Sequence, residues 1–220
     1  MLNRFRNRIA LFGGTFNPIH YGHLRVAEEV RERLFLKKVV FIPAADPPLK
    51  GEDLAPSDKR FRMVQMAIRD NPHFEASPVE MERGGKSYTV FTLRELKSCY
   101  NEELVFLLGL DAFVQLHEWY RFEEVLSLTD FLIVGRPGEQ GSRLIDLPWV
   151  VEVKGVGDKD AAVFIKGAGE GRFSLYLDTM KLDISATEIR RLVKTGKSIR
   201  YLLPDDVAEF IRQNRLYQIG

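Results

Sequence analysis

His20 and His23 stand three residues apart in the run ALFGGTFNPIHYGHLRVAEEV, residues 10–30. An apolar stretch, 9–12, precedes them and closes on Gly13 and Gly14. Beyond them Leu24, Ala27, Val30 and Leu34 recur at helical spacing. A buried strand therefore runs through a glycine turn into a helix that begins near Gly22. Such a junction suits an anion. Glycines admit close backbone approach, and the first N–H groups of a helix face outward. Two imidazoles at that mouth add donors for phosphate oxygens. Either feature alone is weak, because a helix-start histidine is usually a cap and a glycine pair usually only a turn. Their combination is much more specific. Zinc is not expected, since His-x-x-His lacks the further ligands a zinc site needs. Far downstream, DISATEIRRLVK at 183–194 opens a helix through the capping pair Ser185 and Glu188, and it carries Arg190.

The elements that must position these groups alternate. Residues 38–43 (KVVFIP) form a second buried strand, so strand, helix and strand follow one another and predict a parallel sheet. A proline-rich loop follows. Ser57 is placed to cap a helix over about 57–69, with Phe61, Val64 and Ile68 on one face. Residues 74–77 and 80–82 read as short strands. After a turn at 83–86, Ser87 is placed to cap a helix over 88–99. Residues 103–109 are a buried strand ending in Gly109, with Asp111 just beyond. Trp119 and Tyr120 precede a short helix near 122–126, and 130–134 form a further strand closing on Gly135, Arg136 and Pro137. Residues 139–172 have short apolar runs only and read as connection plus one or two strands. A strand at 173–177, the helix ending near Lys194, and a last helix from Pro204 to about 214 complete the chain. The pattern predicts one doubly wound α/β domain over 1–220, with a mainly parallel sheet and a small helical portion from about 184. Ligands of such sheets lie at the carboxyl ends of the strands, where Gly13, Gly14 and Gly109 fall.

Composition narrows the partners. With 32 basic and 31 acidic residues the net charge is +1, so neither nucleic acid nor an anionic membrane is attracted in bulk, and an anion site must be local. Cys99 is the only cysteine, which fits a reducing, cytoplasmic setting. The basic start MLNRFRNR leads into an apolar run too short for a signal or a membrane span. No G-x-G-x-x-G follows a strand and no P-loop is present.

GGTFNPIHYGHL resembles the first signature of the HxGH nucleotidyltransferase superfamily, and ISATEIR resembles its second. Together with IPAADPPLK, KSYTVFTLREL, LLGLDAF, the pair Trp119–Tyr120, FLIVGRPG and LLPDDVAEFIRQNRLY, the chain resembles the bacterial nicotinate mononucleotide adenylyltransferases over nearly its whole length. The resemblance implies a Rossmann-like nucleotidyltransferase fold that joins ATP, bound with Mg²⁺, to nicotinate mononucleotide. It implies catalytic roles for His20, His23 and Arg190 at the ATP phosphates, with Gly13, Gly14, Thr15 and Phe16 around them. Gly109 and Asp111 would meet the ribose, and Ile184 and Ser185 the adenine. Tyr88 and Thr89 would face the nicotinate carboxylate and Trp119 the pyridine ring. Asn17 and Arg136 would serve the mononucleotide, with Lys50 a candidate further contact.

Two positions depart from the family pattern. Asn17 stands where many members have Asp, and Leu49 stands where a histidine is usual, so no phosphate donor is expected there. Several readings stay open at this point. They are another phosphorylated acceptor, such as nicotinamide mononucleotide or phosphopantetheine, and a nucleotide-sensing module without turnover. The oligomeric state, monomer or small homo-oligomer, is not fixed by the sequence.

Overall fold

The computed structural model describes residues 2–48, 53–135, 141–156, 160–166, 172–180 and 182–218. Its strands are β1 (Ile9–Gly14), β2 (Lys38–Pro43), β3 (Phe74–Ala76), β4 (Leu104–Gly109), β5 (Asp130–Val134), β6 (Val150–Val156), β7 (Asp160–Ile165) and β8 (Arg172–Leu177). They form one sheet in the order β3-β2-β1-β4-β5-β8-β7-β6. Pairing is parallel from β3 through β8, and antiparallel where β7 joins β8 and β6 joins β7. The chain steps outward from β1 through β2 to β3, then returns to place β4 on the other side of β1. That reversal is the crevice where ligands of open α/β sheets bind. Gly14 and Gly109 end the two strands that flank it.

Burial on both faces explains the near-continuous apolar runs of the central strands. Ala10, Phe12, Val39, Phe41, Val105 and Leu107 point into one core. Helices α1 (Tyr21–Leu34), α2 (Ser57–Ile68), α7 (Ala186–Lys194) and α8 (Asp205–Gln213) contribute Val30, Met63, Ile189 and Val207 to it. Ile9, Leu11, Val40, Ile42, Phe106 and Leu108 point into the other, covered by α4 (Thr89–Cys99), α5 (Leu110–Val114) and α6 (Phe122–Leu128) through Leu93, Phe113 and Val125. The doubly wound expectation holds. Among the described residues no helix is long and apolar enough to cross a membrane.

Several local expectations change. Residues 80–82 are not a strand but part of the helix α3 (Val79–Arg83), because the Pro78 carbonyl accepts the Met81 and Glu82 N–H groups and Gly84, at φ 70°, stops the turn. Ser57 is already helical behind Pro56 and caps nothing. Ser87 does not cap α4 either; its Oγ accepts the Asp46 N–H at 3.0 Å, tying the loop after β2 to the entry of α4. On α2 the buried face includes Arg60, on the same row as Val64 and Ile68, while Phe61 is only half-buried. The weakly patterned stretch after β5 contains the β6–β7 hairpin, with an irregular register at Val150/Glu152.

Leu107 lies at the middle of the sheet with no exposed surface. Leu107→Ala is expected to lower the unfolding free energy by about 2–5 kcal/mol, seen as a lower urea midpoint at unchanged slope. A loss under about 0.5 kcal/mol would contradict this packing.

Candidate active site

The two glycines that end β1 are there for space rather than for a turn. Both have ordinary negative-φ backbone, but a Cβ on Gly13 would sit 2.8 Å from the Phe106 ring, and one on Gly14 2.9 Å from the Phe16 ring. The bend itself falls at Phe16, at φ 46°, followed by a cis Asn17–Pro18 bond. Phe16 is buried edge-on against Phe12 (5.5 Å) and against His23 (5.1 Å). His20 is the N-cap residue of α1 but does not cap it with its side chain. Its ring instead stacks on His23, centroids 3.7 Å apart and planes 29° apart. Gly22 makes this stack possible, since a Cβ there would meet the His20 ring at 3.0 Å. The Tyr21 N–H, the first amide of the helix, donates to the Leu202 carbonyl at 3.0 Å, so it is not offered to a ligand as the sequence suggested.

The second signature meets the first here. Arg190 Nη1 donates to the Asn17 carbonyl at 2.9 Å, and Nη2 to Thr187 Oγ1 at 3.3 Å. Its Nε is buried without a hydrogen-bond partner among the described residues. The Ile184 carbonyl lies 3.6 Å from where a Gly22 Cβ would stand. Ser185 Oγ caps α7 by accepting the Glu188 N–H at 3.1 Å, but Glu188 pairs with Arg191 instead of completing the capping box. His20, His23 and Arg190 thus occupy one corner of the molecule.

Asn17 is engaged within the protein. Its Nδ2 donates to the Asp53 carbonyl at 2.8 Å, and its Oδ1 accepts from Ala55 N–H at 3.1 Å and Tyr217 Oη at 2.8 Å. The side chain therefore fastens the turn to two distant segments, a different task from the substrate contact expected of it. Burial pushes the Tyr217 phenol above its ordinary value, so it stays a neutral donor.

On the other side of the β1 end lies a cavity of about 380 Å³. Gly13, Gly14, Thr15 and Gly109, expected at ATP, line it together with Tyr88, Thr89 and Trp119, expected at the mononucleotide. Tyr88 stacks on Tyr120 at 4.5 Å, and Trp119 stands edge-on to Phe106 at 6.2 Å. These aromatic faces suit a flat ring. The Tyr88 N–H donates to the Lys86 carbonyl at 2.9 Å, whereas Thr89 begins α4, where helix amides lack partners within the helix. Asp111 sits in the first turn of α5, half exposed, paired with Arg143 at 3.2 Å. Arg136 and Lys50 lie outside the described residues.

Three groups escaped the sequence reading. Glu80, buried in the cavity wall, accepts the Thr92 hydroxyl at 2.6 Å. Arg83 donates to that hydroxyl at 3.2 Å and to Glu95 at 3.1 Å. Arg60 is buried beneath the signature turn. Only the helical row shared with Val64 and Ile68 signalled Arg60, and the strand assigned to 80–82 concealed Glu80.

The site therefore has two lobes that meet over Gly13–Thr15. One holds imidazoles and a guanidinium, and suits phosphate oxygens. The other is a partly aromatic cleft. The chain is similar to known proteins. A profile described as cytidylyltransferase-like matches residues 11–192. A protein of Geotalea daltonii named "Probable nicotinate-nucleotide adenylyltransferase" is 41% identical over 218 residues, covering 97% of this chain and 99% of its own. One of the same name from Citrifermentans bemidjiense is 44% identical over 215 residues, covering 96% and 98%. The Plasmodium falciparum nicotinic acid mononucleotide adenylyltransferase complexed with NaAD has the same fold, with a TM-score of 0.72 at 18% identity, covering 96% of this chain and 98% of that one. On these grounds the chain belongs to the cytidylyltransferase-like family and, within it, to the nicotinate-nucleotide adenylyltransferases.

Proposed function

We propose that the chain transfers AMP from ATP to the phosphate of nicotinate mononucleotide, yielding nicotinate adenine dinucleotide and pyrophosphate. The observation that carries this reading is the meeting of the His20–His23 stack with Arg190 beside the aromatic cavity. The relatives of the same length and name support the choice of acceptor. We take residues 1–220 to act as one nucleotidyltransferase domain, in the cytoplasm.

A phosphate oxygen of the mononucleotide attacks the α-phosphorus of ATP. A new P–O bond forms, the bond from the α-phosphorus to the bridging oxygen breaks, and pyrophosphate leaves with that electron pair. The nucleophile is already an anion near neutral pH, because a phosphate monoester's second pKa is about 6. No general base is required. The barrier comes from bringing anions together and from charge gathering on the departing pyrophosphate. His20, His23 and Arg190 answer it by position and charge. Ile184 and Ser185, with Gly109 and Asp111, place the adenosine. Thr89, Tyr88 and Trp119 hold the pyridine end. Arg136 and Lys50 keep the roles the resemblance gives them. Asn17 acts by fixing the turn. The groups named at the turn are imidazoles, a guanidinium and backbone donors rather than carboxylates, so Mg²⁺ would be held through ATP phosphate oxygens and water, where it would supply countercharge.

Incubation with ATP, Mg²⁺ and nicotinate mononucleotide is expected to release pyrophosphate and form the acid dinucleotide. Faster turnover with the amidated mononucleotide would overturn the choice of acceptor, and no turnover with any acceptor would overturn the enzyme reading. His20→Ala and His23→Ala are each expected to lower turnover by about 100–1,000-fold, the loss typical of one donor to developing charge, with thermal unfolding still cooperative. Near-normal rates in both would remove the pair from the mechanism. Asn17→Ala leaves two buried groups and the Tyr217 hydroxyl without their partner, and is expected to cost about 1–3 kcal/mol of stability in urea titrations.

A further inference from the structure

Arg60 has no exposed surface and is the largest fully buried side chain of the molecule among the described residues. Among the described residues its guanidinium hydrogen-bonds to three carbonyls and to no carboxylate. Nε donates to Ala55 at 2.9 Å, Nη1 to Thr15 at 2.8 Å and Nη2 to Ala45 at 3.2 Å. Those acceptors lie in two connections: Thr15 in the signature turn after β1, and Ala45 and Ala55 near the two ends of the segment between β2 and α2. Burial draws the guanidinium below its ordinary value, with Tyr217, Glu80 and Asp58 acting the other way. An arginine nonetheless remains a cation at neutral pH. A buried charge whose hydrogen bonds go to neutral carbonyls is costly, and is worth keeping where the surroundings use it.

The use follows from peptide geometry. The Thr15–Phe16 bond is trans, so its C=O and N–H point in opposite directions. Arg60 holds the Thr15 carbonyl inward, and the Phe16 N–H accordingly faces away from the core. The Asn17 carbonyl is likewise engaged, by Arg190, although its peptide, the cis bond to Pro18, carries no N–H. The carbonyls of the turn are the groups that would repel a polyphosphate, and two of them are drawn onto guanidinium groups.

We propose that Arg60 is a positioning residue for the triphosphate: from beneath, it fixes the backbone of the signature turn with the Thr15 carbonyl withdrawn. This rests on the reading that the ATP phosphates lie at that turn. The test compares binding of α,β-methylene-ATP with binding of adenosine, which lacks phosphates, by calorimetry. Arg60→Lys keeps the charge and loses the three-pronged fork. The variant is expected to fold cooperatively, to weaken methylene-ATP by about tenfold or more and to leave adenosine within about twofold. Loss of both affinities in equal measure, or of neither, overturns the inference. If phosphates add no affinity in the parent protein, the phosphate-site reading fails, and this inference with it. The intact chain gives a second reading that needs no variant. The Arg60 Nε–H resonance is expected to shift on adding inorganic pyrophosphate and not on adding adenosine; an unmoved resonance overturns the inference.

Discussion

A backbone turn that receives a polyanion must present N–H groups and withdraw its carbonyls. The residues after β1 meet that constraint from below. Arg190 takes the Asn17 carbonyl, Arg60 takes the Thr15 carbonyl, and the Asn17 side chain ties the turn to Asp53, Ala55 and Tyr217. The Phe12, Phe16 and His23 rings lock it sideways. Preorganisation of this kind places donors before charge develops, so no reorganisation is needed at the moment of reaction. The buried groups that do this stand far apart in sequence, Asn17 and Tyr217 by 200 residues. The C-terminal segment is thereby part of the site's support rather than an appendage.

The sheet supplies the separation that a two-substrate reaction requires. β1 and β4 part the two cores, so the α1–α7 corner and the α4–α5 cavity approach the same strand ends from opposite faces. In the proposed reaction the two nucleotides approach along these faces, and their reacting phosphates meet over Gly13–Thr15. The glycines at 13 and 14 serve this meeting by giving room to Phe106 from one core and Phe16 from the other. A methyl group at either would force a ring aside and move the strand end.

Much of this was legible in the chain. Strong periodicity marked β1, β2, β4, β5 and α1, and two short peptides with unusual composition marked the corner where His20, His23 and Arg190 gather. What escaped was whatever depends on contacts between distant segments. Asn17 reads as a substrate contact through the family resemblance, and its hydrogen bonds reach residues 53, 55 and 217. Arg60 is not singled out by the sequence, and only tertiary acceptors make its burial tolerable. Ser57 and Ser87 have the right chemistry for caps, but Pro56 and the Asp46 contact override that local preference. Residues 80–82 have no decisive period, and Pro78 and Gly84 settle them as a helix. The β6–β7 hairpin was blurred because its edge strand β6, with Val151 facing solvent, lacks the continuous apolar run of a central strand.

The central claim is spatial: two signature peptides, far apart in the chain, enclose one triphosphate at the crevice beside β1. A crystal structure of the protein with α,β-methylene-ATP and Mg²⁺ tests it most directly. The expected result has phosphate oxygens within about 3 Å of His20 or His23 and of Arg190, with the adenine against Ile184. A triphosphate bound elsewhere, with that corner filled only by water, would contradict the account.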